Sequence, residues 1–387
     1  MERLASRRMI LTWAAIAAPV VVLGGVSVVA LAEGSGPHVK DWPDAPSQPP
    51  VPHEAQLPHQ GMEQSSDPAL RRLAVYEQRL GHGFSANMLR TEMPRTRDEA
   101  EAQAKLMATT LKEYKKQGIP PLVMLQPTAN NGTEGMDLRT LNDAQHSDGY
   151  DGYKDRWDHY FATLYAEGVT SEDMGTWVPF PTPNIPAWQD GVTDANVFKN
   201  NFVPVAQALK THFTEAKVSV LLDTTTYPNG DWSHGSTDNG NMLEYVTGLP
   251  KGLVDSVGIQ GFPYAPGDNP ATYLRASAAT AAAARVGVKD VWLNTGSFSQ
   301  RQDVSTGLIT CDPQTRVQHL VGEWQQAQAV KQAGFNVSIN IFAQNNFSQG
   351  GPDWSYPIDS APSMTMLKQG ADAAAQAGIP ISLYAPN

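Results

Sequence analysis

Residues 97–127 read RDEAEAQAKLMATTLKEYKKQGIPPLVMLQP, and this stretch decides the fold. Leu106, Met107, Leu111 and Tyr114 recur on one helical face, so the spacing predicts a helix from Arg97 to Gln117. Gly118 suits its stop, because glycine enters the left-handed turn that ends a helix at no steric cost. "PLVMLQP" then supplies a short, continuous apolar run of strand type. Helix, glycine, strand is the repeating unit.

The unit recurs on both sides of that stretch. Upstream, Asp67 and Pro68 suit a helix start, Leu70, Leu73, Ala74 and Leu80 follow at helical spacing, Gly81 suits the stop, and "FSANMLRTE" is the next strand. Downstream, Trp157, Tyr160, Phe161 and Leu164 stripe a helix that stops at Gly168 before "MGTWVPF", and Phe198, Phe202, Val205 and Leu209 stripe another before "VSVLLD". A shorter helix around Met242 to Val246 precedes "VDSVGIQGF", Pro270 to Arg285 precedes "DVWLN", a helix bearing Val317 to Trp324 precedes "VSINIFA", and Met364 to Ala377 lead into "IPISLYA". Continuous apolar strands are buried on both faces, the signature of a parallel sheet, and their alternation with helices requires right-handed crossovers. Eight such units in about 320 residues, with no Gly-rich phosphate loop after the first strand, predict an α/β fold of the (β/α)8 TIM-barrel type rather than an open sheet.

Composition bounds what the barrel does. A net charge of −11 with no Lys/Arg cluster argues against nucleic acid as a partner. The single cysteine, Cys311, allows no internal disulfide. Arg3, Arg7 and Arg8 precede an uncharged apolar run from Met9 to Ala32, which reads as a signal peptide or N-terminal membrane anchor over residues 1–32. Seven prolines between Glu33 and Pro58 mark residues 33–65 as a Pro-rich linker, leaving 66–387 for the barrel. The expectation is a protein secreted or anchored to the outer face of the cell membrane, touching membrane only through that first segment.

In a parallel barrel the chemistry sits in the loops beyond the strand ends. Those ends carry Glu92, Gln126, Thr182 and Asn184, Asp223, Gln260 and Tyr264, Asn294 and Thr295, Gln344 and Asn345, and Tyr384. Amides, hydroxyls and aromatics dominate. With Trp177, Trp188, Trp232, Phe298 and Trp354 nearby, this is the composition of a sugar cleft, where rings stack on pyranose faces and amides pair with hydroxyls. Trp177, Asn184, Trp188, Tyr264, Asn294 and Gln344 are expected to share one mouth, with Thr182 and Trp354 beside them. The loop "DWSHGSTDNGN", with Asp231, His234 and Asp238, lacks the ligand spacing of a calcium loop, so no metal and no cofactor is expected.

"GTWVPFPTPNIPAW", "VDSVGIQGFPY", "DVWLNTG" and "SINIFAQNNF" followed by "DWSY" resemble successive strand ends of clan A glycoside hydrolases, most of all glycoside hydrolase family 26; "YEQRLG" and "FSANMLR" are similar to that family's helix and second strand. The resemblance implies a retaining glycosidase barrel from about Asp67 to Tyr384, with "ISLYA" filling the place of the family's first strand in a circularly permuted closure. It also implies two catalytic Glu residues. At their positions this sequence has Thr182, two residues before Asn184, and Asn294, before Thr295 and Gly296. Retaining hydrolysis needs one carboxyl group to protonate the leaving oxygen and a second to attack the sugar, and neither Thr nor Asn does either.

Three functional readings follow. The first is an extracellular, catalytically degenerate barrel that binds a polysaccharide or cell-wall glycan. The second is an active O-glycosyl hydrolase using a non-standard acid pair, Glu92 and Asp223, the two carboxylates placed at strand ends. The third is a surface scaffold that binds a protein partner through the same aromatic rim.

Overall fold

The computed structural model describes residues 57–126, 152–184, 194–224, 241–261, 275–296, 300–303, 307–310, 313–342, 354–355, 368 and 371–384. Eight parallel strands close into one barrel: β1 (Ala86–Glu92), β2 (Pro121–Gln126), β3 (Thr176–Pro179), β4 (Lys217–Asp223), β5 (Ser256–Gln260), β6 (Asp290–Gly296), β9 (Asn336–Phe342) and β11 (Ile381–Tyr384). The ring order is β1-β11-β9-β6-β5-β4-β3-β2, so the last strand lies between the first and β9, as its sequence predicted. Three short strands form a separate antiparallel sheet: β7 (Gln300–Asp303), β8 (Gly307–Thr310) and β10 (Trp354–Ser355). All three are too short to announce strands, and QRQD is too polar as well.

The helices form for local reasons. Asp67 caps α1 (Pro68–Leu80) by accepting from the amides of Ala69 and Leu70, and Thr96 caps α2 (Arg97–Gln117) by accepting from Glu99 N–H. Gly81 and Gly118 end these helices with φ of 74° and 72°. Helices α3 (Tyr153–Ala166), α4 (Ala195–His212), α5 (Arg275–Val286) and α6 (Pro313–Gln332) precede β3, β4, β6 and β9, and a helical segment over 371–377 precedes β11. The expected helix before β5 is only a 3-10 turn, Met242–Tyr245. Gly248 and Gly252, both at positive φ, and Pro250 between them keep the chain from continuing it. On the N-terminal side the packing reaches beyond α1: Met62 is fully buried, and buried Glu77 accepts from the His59 amide and meets its ring at 2.8 Å.

Register fixes which side chains enter the barrel. One line of Cα partners runs from Ala86 through Ser382, Asn340, Asn294 and Gln260 to Asp223. The offsets of the remaining pairs carry it back to position 94 on the first strand, eight residues beyond its start. That is the stagger of a (β/α)8 barrel. Alternate residues therefore point inward, and two apolar clusters result. The larger lies between strands and helices; the smaller, Met88, Leu122, Met124, Val178, Leu221 and Trp292, fills the lumen. Trp292 lies over Gly258 on the neighbouring strand and donates its indole N–H to Ser219 Oγ at 2.8 Å.

A methyl group at Gly258 would stand 2.3 Å from the Trp292 ring. Backbone and ring are both fixed, so Gly258→Ala is expected to destabilise the fold by about 1–3 kcal/mol. Urea unfolding of the variant measures this; an unchanged midpoint contradicts the lumen packing.

Candidate functional site

The strand ends meet at the C-terminal mouth, and the exit from β3 is the most constrained of those described. Phe180 and Thr182 both have positive φ, 51° and 54°, a conformation that a β-branched threonine rarely adopts. Bonds to the neighbouring strands hold it: Phe180 N–H donates to Leu125 O at 3.0 Å and Thr182 N–H to Leu221 O at 2.8 Å. Asn184, fully buried, then closes the loop onto β4. Its Nδ2 donates to Asp223 O at 2.7 Å, and its Oδ1 accepts from Asp223 N–H at 2.9 Å. The side-chain amide thus behaves as one more strand pairing, placed where the β3 ladder has ended.

Asp223 is itself fully buried, and its carboxylate is held from β5: Gln260 Nε2 donates to Oδ2 at 3.0 Å. Gln260 Oε1 accepts from Asn294 Nδ2 at 2.9 Å, and Asn294 Oδ1 from Asn340 Nδ2 at 2.6 Å. Asn340 Oδ1 accepts from Ser382 Oγ at 2.8 Å. These five residues share the register line, so their side chains enter the lumen from adjacent strands. Asp223 and Gln260 end their strands, whereas Ser382 is the second residue of β11; the chain of bonds descends from mouth to interior.

Glu92 approaches from β1. It shares the even-numbered face of β1 with Arg90 and with Met88 of the lumen cluster, so it faces inward, paired in register with Gln126. Partial burial raises its pKa above the usual carboxylate value, and the nearby charges of Arg90 and Arg95 oppose that rise.

Two buried arginines brace strand exits from the helix layer. Arg156 of α3 donates from Nε to Pro94 O at 2.7 Å, just past β1. Arg275, the first residue of α5, bonds the Gly261 carbonyl just past β5 and pairs with buried Glu323 of α6. Gly261 has no room for a side chain: a methyl group there would lie 2.8 Å from Arg275 Cδ and 2.9 Å from Thr224 Oγ1. The sequence singles out neither arginine, because a lone Arg on an amphipathic helix reads as a solvated face.

The structure brings Thr182, Asn184, Asp223 and Asn294 together across β3 to β6, and sets Glu92 in the same lumen. Thr182 donates its hydroxyl to Pro181 O at 2.8 Å. Trp177 is a correction. It is fully buried on the opposite face of β3 from lumen-facing Val178, edge-on to Tyr160 and Phe161 of α3, and its Nε1 donates to Met174 O at 2.6 Å. Strand alternation sends it into the shell rather than the mouth. Trp354 opens β10, opposite Arg301 in the small sheet, with its side chain outside what is described. Trp188, Tyr264, Gln344, Trp232, Phe298, Asp231, His234 and Asp238 lie outside the described residues. Among the described residues no group of three or more His, Cys, Asp or Glu side chains is arranged to hold a metal ion.

No protein-family profile matches the chain, and no curated protein does. Solved structures do. A β-glucosidase, 1317, in its apo form matches with a TM-score of 0.51 at 13% identity, covering 85% of this chain and 99% of its own. Fpglu1 from Fervidobacterium pennivoraus matches with a TM-score of 0.50 at 11% identity, covering 78% and 82%. An endo-1,4-β-D-mannanase from Thermotoga petrophila RKU-1 reaches 0.45 at 10% identity, covering 74% and 91%. The likeness is one of architecture: the first two share the parallel-barrel fold described above.

Two outcomes are expected from the site's bonds. Asn184→Ala leaves the buried Asp223 amide without its partner and costs about 1–3 kcal/mol, read by urea unfolding. Glu92→Gln acts through pH. Because the folded-state pKa of Glu92 is raised, its contribution is intact below the ordinary carboxylate value of 4.5 and is lost as pH rises through the folded value. The variant should therefore gain stability relative to the unmodified protein at pH 7 and none at pH near 3; equal differences at both pH values contradict the burial of Glu92.

Proposed function

We propose that this protein is a barrel, secreted or anchored to the outer face of the cell membrane, that binds a polysaccharide or cell-wall glycan at its C-terminal mouth and hydrolyses it very slowly or not at all. One observation carries the reading. At both positions where the family 26 resemblance expects a catalytic Glu, the side chain is non-acidic and engaged within the protein: Thr182 with Pro181 O, and Asn294 with Gln260 and Asn340. General acid catalysis contributes ~10² to 10⁴-fold, and the nucleophilic carboxylate is lost with it. Binding has no such dependence, since hydroxyl pairing and aromatic stacking need no proton transfer. Export rests on the basic-then-apolar segment of residues 1–32.

A second reading is favoured by Glu92. A carboxyl group whose pKa is raised by burial, in one lumen with Asp223 held by a hydrogen-bond donor, is how glycosidases separate the roles of acid and base. Under that reading Glu92 protonates the leaving oxygen.

A glycan panel assayed for both binding and reducing-end release separates the two. Retained binding with no release above background is the expected result. Release that disappears in Glu92→Gln or Asp223→Asn replaces the first reading with the second, and a panel with neither binding nor release rejects both.

A further inference from the structure

The five-residue bond chain through the lumen has a direction. Gln260 donates its NH₂ to Asp223 Oδ2 and turns its carbonyl toward Asn294, the orientation that an ionised carboxylate, which only accepts, requires. Asn294 must then present NH₂ to Gln260 and its carbonyl to Asn340, which likewise presents its own carbonyl to the Ser382 hydroxyl. One acceptor-only end sets every amide orientation. Donors thus point the same way along four successive bonds of 2.6–3.0 Å, from the interior of β11 to the end of β4. Bonds aligned head to tail in a low-dielectric interior polarise one another, and the sum is delivered at the last acceptor.

We infer that Gln260, Asn294, Asn340 and Ser382 are positioning residues which together hold Asp223 as an oriented carboxylate anion at the floor of the barrel mouth. Asn294 then has a function of its own, as a link that a carboxylate could not serve: a Glu there has no NH₂ for Gln260. Asp223 is the group through which the chain acts, anchoring ligand hydroxyls from below; this last step rests on the glycan-site reading, and the bond chain itself does not. Among the described residues, the charged groups that face the lumen or back its strands include Arg90 and Glu92 on the lumen face of β1, and Arg275 paired with Glu323 behind the β5 exit.

The test follows the Asp223 carboxyl carbon by NMR in the full chain labelled at aspartate carboxyls, with Asp223→Asn identifying the signal. Hydrogen bonds to a carboxylate favour its ionised form, so Gln260→Leu should move the titration midpoint upward by on the order of one unit. Ser382→Ala, which removes the fourth bond from Asp223, should move it upward by a much smaller amount through loss of polarisation, and Ser382→Thr should restore it. Ser219→Ala is the control, since it removes the Trp292 bond in the same lumen but lies off the chain. The inference is overturned if Ser382→Ala leaves the midpoint where it was, or if Ser219→Ala moves it as far. Should Gln260→Leu fail to fold, the three serine variants decide alone. The glycan panel fails independently: a protein that binds no glycan but shows the Ser382 effect keeps the bond chain and loses only the anchoring role.

Discussion

The placement of β11 between β9 and β1 is the constraint on which the remaining geometry depends. A parallel sheet of eight strands left open would expose two unpaired edges, and the pairings of Ala86 with Ser382 and Asn87 with Leu383 remove both. Closure also removes freedom of register. Once the line of partners must return eight residues from where it began, no strand can slip by one position without turning its inward side chains to the helices. Met88 and Trp292 in the lumen, and Trp157 and Trp177 in the shell, are consequences of that single count.

The same count lets polar groups be buried without penalty. Asn184, Asp223, Asn294 and Asn340 are almost completely removed from water, and an amide transferred there without partners costs several kcal/mol. Here the neighbouring strand delivers a partner at the matching height, because register aligned the backbone first. The β3 exit works similarly: two residues at positive φ persist because their amides are committed to Leu125 and Leu221 and the loop is locked to β4 by Asn184. Strain near a binding mouth is tolerated where the surroundings over-determine it.

The order of elements and the closure were legible in the sequence, since most helix faces announce themselves within one stretch, some with a terminal glycine such as Gly81 or Gly118, although α4 ends on Phe213 without one. The face of each mouth residue was not. After Thr176 the run WVPF is apolar, so nothing in it distinguishes lumen-facing Val178 from shell-facing Trp177, and nearness to a strand end does not by itself put a side chain at the mouth. The polar layer does leave a signal in the sequence. SVLLD, SVGIQ, DVWLN and NVSIN, set side by side, each place an acid or amide at the fifth position, which is the position the register brings together. Arg156 and Arg275 left none, because the partners that make them structural, Pro94 and Gly261 with Glu323, are distant in sequence.

Those two arginines have a consequence for how the barrel can change. Each fastens its strand exit from beneath, through a bond made in the helix layer, so the position of the exit does not depend on the segment that follows it. Insertion, deletion or exchange of the segment after Gly261 meets an anchored end and passes little strain back into β5. Modularity of this kind lets a rim diversify while its frame stays constant. It also marks Pro94 and Gly261 as splice points for grafting foreign loops, where transplanted segments begin from fixed backbone rather than from a strand free to shift.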